Sequence, residues 1–196
     1  MDLFTIKKCF DCPNRLANLD NLAGTLRKVL DDSEFNTRLA TRIDTGRPLH
    51  HQKFHMAVAG CPNSCSQPQI KDFGVQGQAR PIVAGGCDGC GVCVQTCPEK
   101  AVIVQDGVAV IDRNACLSCG LCARACPTGS MQIEKTGYRV LIGGKLGRHP
   151  RLATEMLVLA SADEVAGALR RCVEIFLTAG QPGERFGSLV DRISFK

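Results

Sequence analysis

The sequence has no tryptophan, a single tyrosine and only 5% aromatic residues. Its formal net charge is a mild +5, and no block of like charges marks an interaction tail. A nucleic-acid surface would combine a basic stripe with aromatic or motif support, and neither is present. No apolar run approaches the roughly 18 residues of a membrane span. The opening Met-Asp-Leu-Phe-Thr-Ile-Lys-Lys-Cys lacks the basic start, apolar core and small-residue cleavage site of a signal peptide. A cytoplasmic location is therefore the expectation, and the small basic excess suits an anionic substrate or an acidic protein partner.

Against these absences stand 13 cysteines in 196 residues, with an ordinary 44% apolar content. A secreted disulfide scaffold would be shorter and would carry a signal peptide. The spacing points elsewhere. Cys87-Asp-Gly-Cys90-Gly-Val-Cys93-Val-Gln-Thr-Cys97-Pro98 fits C-x2-C-x2-C-x3-C-P, and so does Cys116-Leu-Ser-Cys119-Gly-Leu-Cys122-Ala-Arg-Ala-Cys126-Pro127. The two runs repeat with a period of 29 residues (116 minus 87). This is the bacterial ferredoxin pattern for two 4Fe–4S clusters, in which the fourth Cys of each run ligates the other cluster. Cluster one then uses Cys87, Cys90, Cys93 and Cys126; cluster two uses Cys116, Cys119, Cys122 and Cys97. Three thiolates from a tight loop cap one face of a cubane and the fourth comes from elsewhere. Gly89, Gly91 and Gly120 let the backbone turn closely, and Pro98 and Pro127 redirect it. Residues 101–104 and 108–111 flank Gln105-Asp106-Gly107 and read as a β-hairpin. The alternative for these eight thiols is a pair of zinc sites, which do not ordinarily use a triple-plus-Pro repeat.

Outside this unit lie Cys9, Cys12, Cys61, Cys65 and Cys172. The segment Ala59-Gly-Cys61-Pro-Asn-Ser-Cys65-Ser-Gln-Pro-Gln69 resembles the C-x3-C motif of the sirohaem-dependent sulfite and nitrite reductases. A ferredoxin-like unit after that motif is similar to the dissimilatory and anaerobic sulfite reductase branch. Gly137-Tyr-Arg-Val-Leu-Ile-Gly143-Gly144-Lys145-Leu-Gly147-Arg148-His-Pro150 resembles the strand and Gly-rich loop that follow the insert. Gly183 to Arg192 resembles the C-terminal end.

The resemblance implies a third 4Fe–4S cluster on Cys9, Cys12, Cys61 and Cys65, with Cys65 bridging to sirohaem iron. Cys9 and Cys12 are spaced C-x2-C, whereas the family pair is usually C-x5-C; aligned on Cys12-Pro13, Ile6 falls where the first ligand is expected. Without a cluster, these four would be two buried, apolar-like thiols and an incidental C-x2-C. The resemblance also implies a cationic strand facing sulfite. Phe54, Met56 and Val58 alternate toward a core, leaving Lys53, His55 and Ala57 on the other face. Lys53 matches the first family lysine and His55 replaces the second, where it could deliver protons; the bland reading is a solvated strand edge. Lys145 and Arg148 are candidates for an anionic cofactor group, or simply part of a strand-to-helix turn. Family members carry a further half-domain before the first cluster Cys, so a second chain completing the sirohaem site, or loss of sirohaem, is expected.

Helical periodicity predicts helices over 14–31 and 162–179, the second opened by a Ser161/Glu164 capping box and closed by Gly180. Cys172 falls on its apolar face as a core thiol. Strands are expected at 54–59, 73–76, 131–133 and 138–142. The expected fold is α+β: a sulfite/nitrite reductase-like half-domain over 1–76 and 135–196, interrupted by a ferredoxin-like insert over 77–134. Three functions fit: a sulfite or nitrite reductase fed by a donor protein or subunit, an electron-transfer subunit serving a partner enzyme, or a redox sensor.

Overall fold

Phe54–Ala59 is buried along its whole length, as a strand paired on both edges and covered on both faces must be. In the computed structural model, which describes residues 2–16, 19–43 and 48–195, this strand is β2 of a mixed α+β fold. It lies between β1 (Phe4–Lys8) and β3 (Phe73–Val83), parallel to both. The segment after β3 contains α3 (Val92–Thr96), the hairpin β4 (Val102–Gln105) and β5 (Val108–Ile111), and α4 (Leu121–Ala125). The chain returns as β6 (Met131–Ile142), antiparallel to β3, and then as β7 (Thr154–Ala160). The sheet order is β1-β2-β3-β6-β7. The helices α1 (Leu19–Asp32), α2 (Phe35–Ala40), α5 (Ala162–Ala179) and α6 (Phe186–Arg192) complete the fold.

The core forms because α1 and α5 each carry one apolar stripe. Leu22, Leu26, Val29 and Leu30 of α1 and Val165, Leu169, Cys172, Val173 and Phe176 of α5 are buried in one cluster with Met56, Val58, Val75, Val140 and Ile142 of the sheet. Phe54 is at its centre, with the rings of Phe35, Phe176 and Phe186 at 5.6, 5.7 and 5.4 Å. The capping box of α5 is made from both sides: Ser161 Oγ accepts from the Glu164 N–H, and the Glu164 carboxylate accepts from the Ser161 N–H. Burial pushes the Cys172 thiol up to about 12, which leaves it inert.

Three expected boundaries shift. The first helix starts at Leu19, because the Arg15 N–H is spent on the Cys12 carbonyl and the Leu16 N–H on the Gly60 carbonyl; Ala17 and Asn18 lie outside the described residues, as do Met1, 44–47 and Lys196 of the expected outer domain. The strand expected at 73–76 runs on to Val83, and 131–133 and 138–142 are one strand. The cause is one ladder from Phe73↔Ile142 to Val83↔Met131, interrupted by a single irregularity beside Pro81. The expected insert edges, 77 and 134, thus fall within strands. Beyond the ladder lies a second hydrophobic cluster, with Cys93, Val102, Ala109, Cys122 and Met131 at its heart.

Truncating Phe54 to Ala removes the ring on which three others pack. The expected cost is about 3–5 kcal/mol, measured by denaturant unfolding with an unchanged m-value.

Candidate functional site

The parallel strands β1 and β2 end side by side, and their C-terminal loops carry the outer cysteines. The Cys9 N–H donates to the Val58 carbonyl, continuing the ladder, and the Gly60 N–H donates to Cys9 Sγ at 3.2 Å. Cys61 and Cys65 lie on the next loop, with the Asn63 side-chain N–H 3.3 Å from Cys65 Sγ. The Cys61 thiol is pushed up by burial and then by the neighbouring Cys12, Cys65 and Cys9 thiolates. Hydrogen bonds thus bring Cys9 beside the Gly60–Cys61 turn despite its C-x2-C spacing, and Cys12 and Cys65 lie near enough to act on the Cys61 thiol. Cys12 and Cys65 are exposed. Ser66 is fully buried and its hydroxyl has no partner among the described residues. An unfilled donor beside Cys65, together with N–H groups aimed at sulfur, fits a group rich in sulfur acceptors.

The internal repeat becomes a structural repeat. Gly91 and Gly120, both with positive φ, open α3 and α4. Ser118, which corresponds to Gly89 at the 29-residue period (118 minus 89), also has positive φ. Asp106 and Gly107 share the left-handed region and form the two-residue turn between β4 and β5, the type I′ geometry that Asp-Gly favours. The thiols are grouped crosswise. Cys93 is pushed up by burial and then by Cys87 and Cys126. Burial, followed by Cys119 and Cys116, pushes Cys122 up to about 11. Cys97, from the first run, lines one small cavity with Cys116, Cys119 and Cys122 from the second; Cys90 lies exposed in the loop before α3. Backbone N–H groups of Ala109, Ala101 and Met131 donate to Cys87, Cys97 and Cys126.

Lys53 is half-buried at the end of a short 3-10 turn, just before β2. His55 is not on an open face: it is buried and stacked on His50 with ring centroids 4.2 Å apart. Its Nε2–H donates to the His50 carbonyl and its Nδ1 accepts from the Thr5 hydroxyl, both at 2.8 Å. Burial pushes the imidazole down to about 4. Both ring nitrogens are occupied and the ring is neutral near pH 7, so the alternation that put His55 on a substrate face missed what covers that face. Lys145 also has a partner, donating to Ser188 Oγ on α6, while Arg148 is exposed. Sequence reasoning overlooked Asp72 and Arg185. Asp72 is buried, accepts from the His55 backbone N–H, and takes both carboxylate contacts from Arg185 at 3.0 and 3.1 Å. A lone acid before a strand gives no local signal of such a partner 113 residues away.

A family model described as the nitrite and sulphite reductase 4Fe-4S domain matches residues 15–196. The chain belongs to this family. It is 35% identical over 165 residues to the coenzyme F420-dependent sulfite reductase of Methanocaldococcus jannaschii, covering 81% of this chain and 26% of that protein. The chain thus spans about a quarter of the length of that relative. Its fold is shared with dissimilatory sulfite reductase I, at a TM-score of 0.65 and 20% identity over 96% of this chain and 49% of that one. NirA of Mycobacterium tuberculosis gives a TM-score of 0.50 and 20% identity, over 95% of this chain and 25% of that one. This reductase-family chain is an iron–sulfur protein of mixed α+β fold. No helix among its described residues is long and apolar enough to cross a membrane.

The His55 environment makes a pH prediction. Its folded value, about 4, lies below the unfolded one of about 6.5, so its contribution is complete above pH 6.5 and is lost as pH falls toward 4. Between pH 7.5 and 5 the wild type should lose about 1–2 kcal/mol more unfolding free energy than His55→Gln, read from paired denaturant titrations.

Proposed function

We propose that this chain is the cluster-bearing part of a sulfite reductase, with nitrite as the other candidate substrate. The observation that carries the reading is the convergence of Cys9, Cys12, Cys61 and Cys65 at the ends of β1 and β2, the C-terminal edge where parallel strands open a crevice. The chain holds three 4Fe–4S clusters in this reading: the outer one on that quartet, and two in a ferredoxin-like insert over residues 77–134, on Cys87, Cys90, Cys93 and Cys126 and on Cys116, Cys119, Cys122 and Cys97. The crosswise grouping of the insert thiols supports that ligand assignment. When bound, the clusters pass single electrons from a donor protein toward a sirohaem, whose iron supplies the site of bond breaking. Cys65, exposed as Cys12 is, would be the thiol that holds that iron, as the resemblance of its C-x3-C motif implies.

The chain's own groups hold and orient. Backbone N–H groups stabilise the thiolates, which tunes potential as well as position. Lys53 supplies positive charge to a small oxyanion such as sulfite. Lys145 and Arg148 lie in the Gly-rich loop, where Arg148 is exposed to meet a cofactor carboxylate. His55 acts in this reading as a positioning residue that fixes the turn bearing Lys53, since its ring donates to the His50 carbonyl. A second chain, or a second half, completes the enclosure of the macrocycle. Thiols kept reduced for clusters suit a cytoplasmic setting. The engagement of His55 and Lys145 favours a second reading, an electron-transfer subunit that serves a partner enzyme without a sirohaem of its own.

Anaerobically isolated protein should contain about twelve irons and twelve sulfides, four per cubane. A count of about eight rejects the outer cluster. A Soret band with a band in the red, after co-expression with sirohaem synthesis, decides for the enzyme; a broad brown shoulder alone decides for the electron-transfer subunit. In the sirohaem-loaded enzyme, Lys53→Ala should lower sulfite kcat/KM by about 10-fold or more, as loss of one charge-assisted contact implies. Unchanged turnover removes Lys53 from the site.

A further inference from the structure

We propose that Arg124 is a strut that sets the gap between cluster two and the outer cluster; this rests on the three-cluster reading above. Arg124 sits on α4 between two cysteines of the insert, Cys122 and Cys126. Its guanidinium leaves the insert and donates to the Pro13 carbonyl at 3.3 Å and to Asn14 Oδ1 at 3.1 Å. Pro13 directly follows Cys12. One side chain thus ties a ligand-bearing helix to a ligand-bearing loop 110 residues away in sequence.

The tie is needed where it stands. A cleft of about 340 Å3 separates the two units, with Cys61 and Asn63 on one wall and Cys119 and Leu121 on the other. Apolar packing does not fix the width of an open cleft. One margin is held by β3. A Cβ on Gly77 would lie 2.4 Å from the Gly60 carbonyl oxygen, so only glycine lets the Cys61 loop approach. Two residues on, the Ala79 N–H donates to the Ser118 carbonyl at 2.6 Å and Ala79 bridges to Cys119. A single margin permits the walls to open like a hinge. Arg124 supplies the second point of attachment, and its rigid planar guanidinium holds two acceptors at once in a fixed geometry that a rotatable lysine ammonium does not impose.

These contacts also give the insert a polarity. Cys119 of cluster two faces the outer quartet, while the crosswise grouping sets Cys87, Cys93 and Cys126 apart as cluster one. A low-potential one-electron donor would therefore reduce cluster one first; cluster one would return to its oxidised state by passing that electron to cluster two, and cluster two by passing it to the outer cluster, with no bond broken and no proton moved. Arg124 touches neither substrate nor cluster in this scheme; it is a positioning residue.

The test is electron paramagnetic resonance of the dithionite-reduced, cluster-loaded full-length protein. Wild type should contain about twelve irons and show magnetic broadening between cluster two and the outer cluster. Arg124→Ala should keep the irons and the broadening within the insert, and lose the broadening to the outer cluster. Unchanged outer broadening with twelve irons overturns the proposal. If Arg124→Ala fails to assemble its clusters, Asn14→Ala, which removes one acceptor from outside the insert, decides on the same signal: partial loss supports the strut and no change rejects it. A wild type with about eight irons instead overturns the three-cluster reading, and the strut with it.

Discussion

The antiparallel ladder between β3 and β6 is the constraint on which the rest of the molecule depends. It extends from Phe73↔Ile142 to Val83↔Met131. Its lower part sits in the main core, where Val75, Val140 and Ile142 pack against α1 and α5. Its upper part enters the second hydrophobic cluster through Val83 and Met131. Between the two, Gly77 receives the Cys61 loop and Ala79 receives the Cys119 loop. Backbone hydrogen bonds, which take up length with little give, thereby act as the ruler for the cysteine loops.

Parallel pairing does the complementary work. β1 and β2 run side by side and end at the same level, with Lys8 opposite Val58. Cys9 and the Cys61 loop are then neighbours although 52 residues separate Cys9 from Cys61 (61 minus 9). The C-x2-C spacing does not keep Cys9 from the Cys61 loop for this reason. Strand register brings Cys9 up to the Gly60 N–H from the backbone, so the local spacing of the pair is not what determines its reach.

Much of this was legible from residue order, and the limits follow from physics. The twin cysteine runs are local patterns, and the structure preserves them as twin loop-helix units. The apolar stripes of α1 and α5 are also local, and both helices form; the start of α1 moves because the Arg15 N–H turns back to Cys12 and the Leu16 N–H finds Gly60 in a distant loop. β1 and β7 were not readable. β1 is a short strand whose Phe4 packs inward, too brief to stand above background, and the exposed face of β7 blurs its alternation. The expectation of an open face at His55 failed for a different reason. Period-2 alternation tells which residues share a face, but not what covers it. Here the 3-10 turn at His50 and the side chain of Thr5 cover His55, a fact of tertiary packing. Asp72 with Arg185, and Arg124 with Asn14, are likewise pairs joined only by the fold.

The two-stranded stem has an evolutionary meaning as well. The segment between Val83 and Met131 enters and leaves through one paired neck, so it can be lengthened, trimmed or exchanged without altering the register of the sheet below. A cassette attached in this way is simple to graft but arrives free to tilt. Side-chain ties such as that from Arg124 to the Cys12 loop fasten such a segment at a second place. They belong to neither module alone, so divergence should be read at the seam between the modules rather than in the cysteine runs.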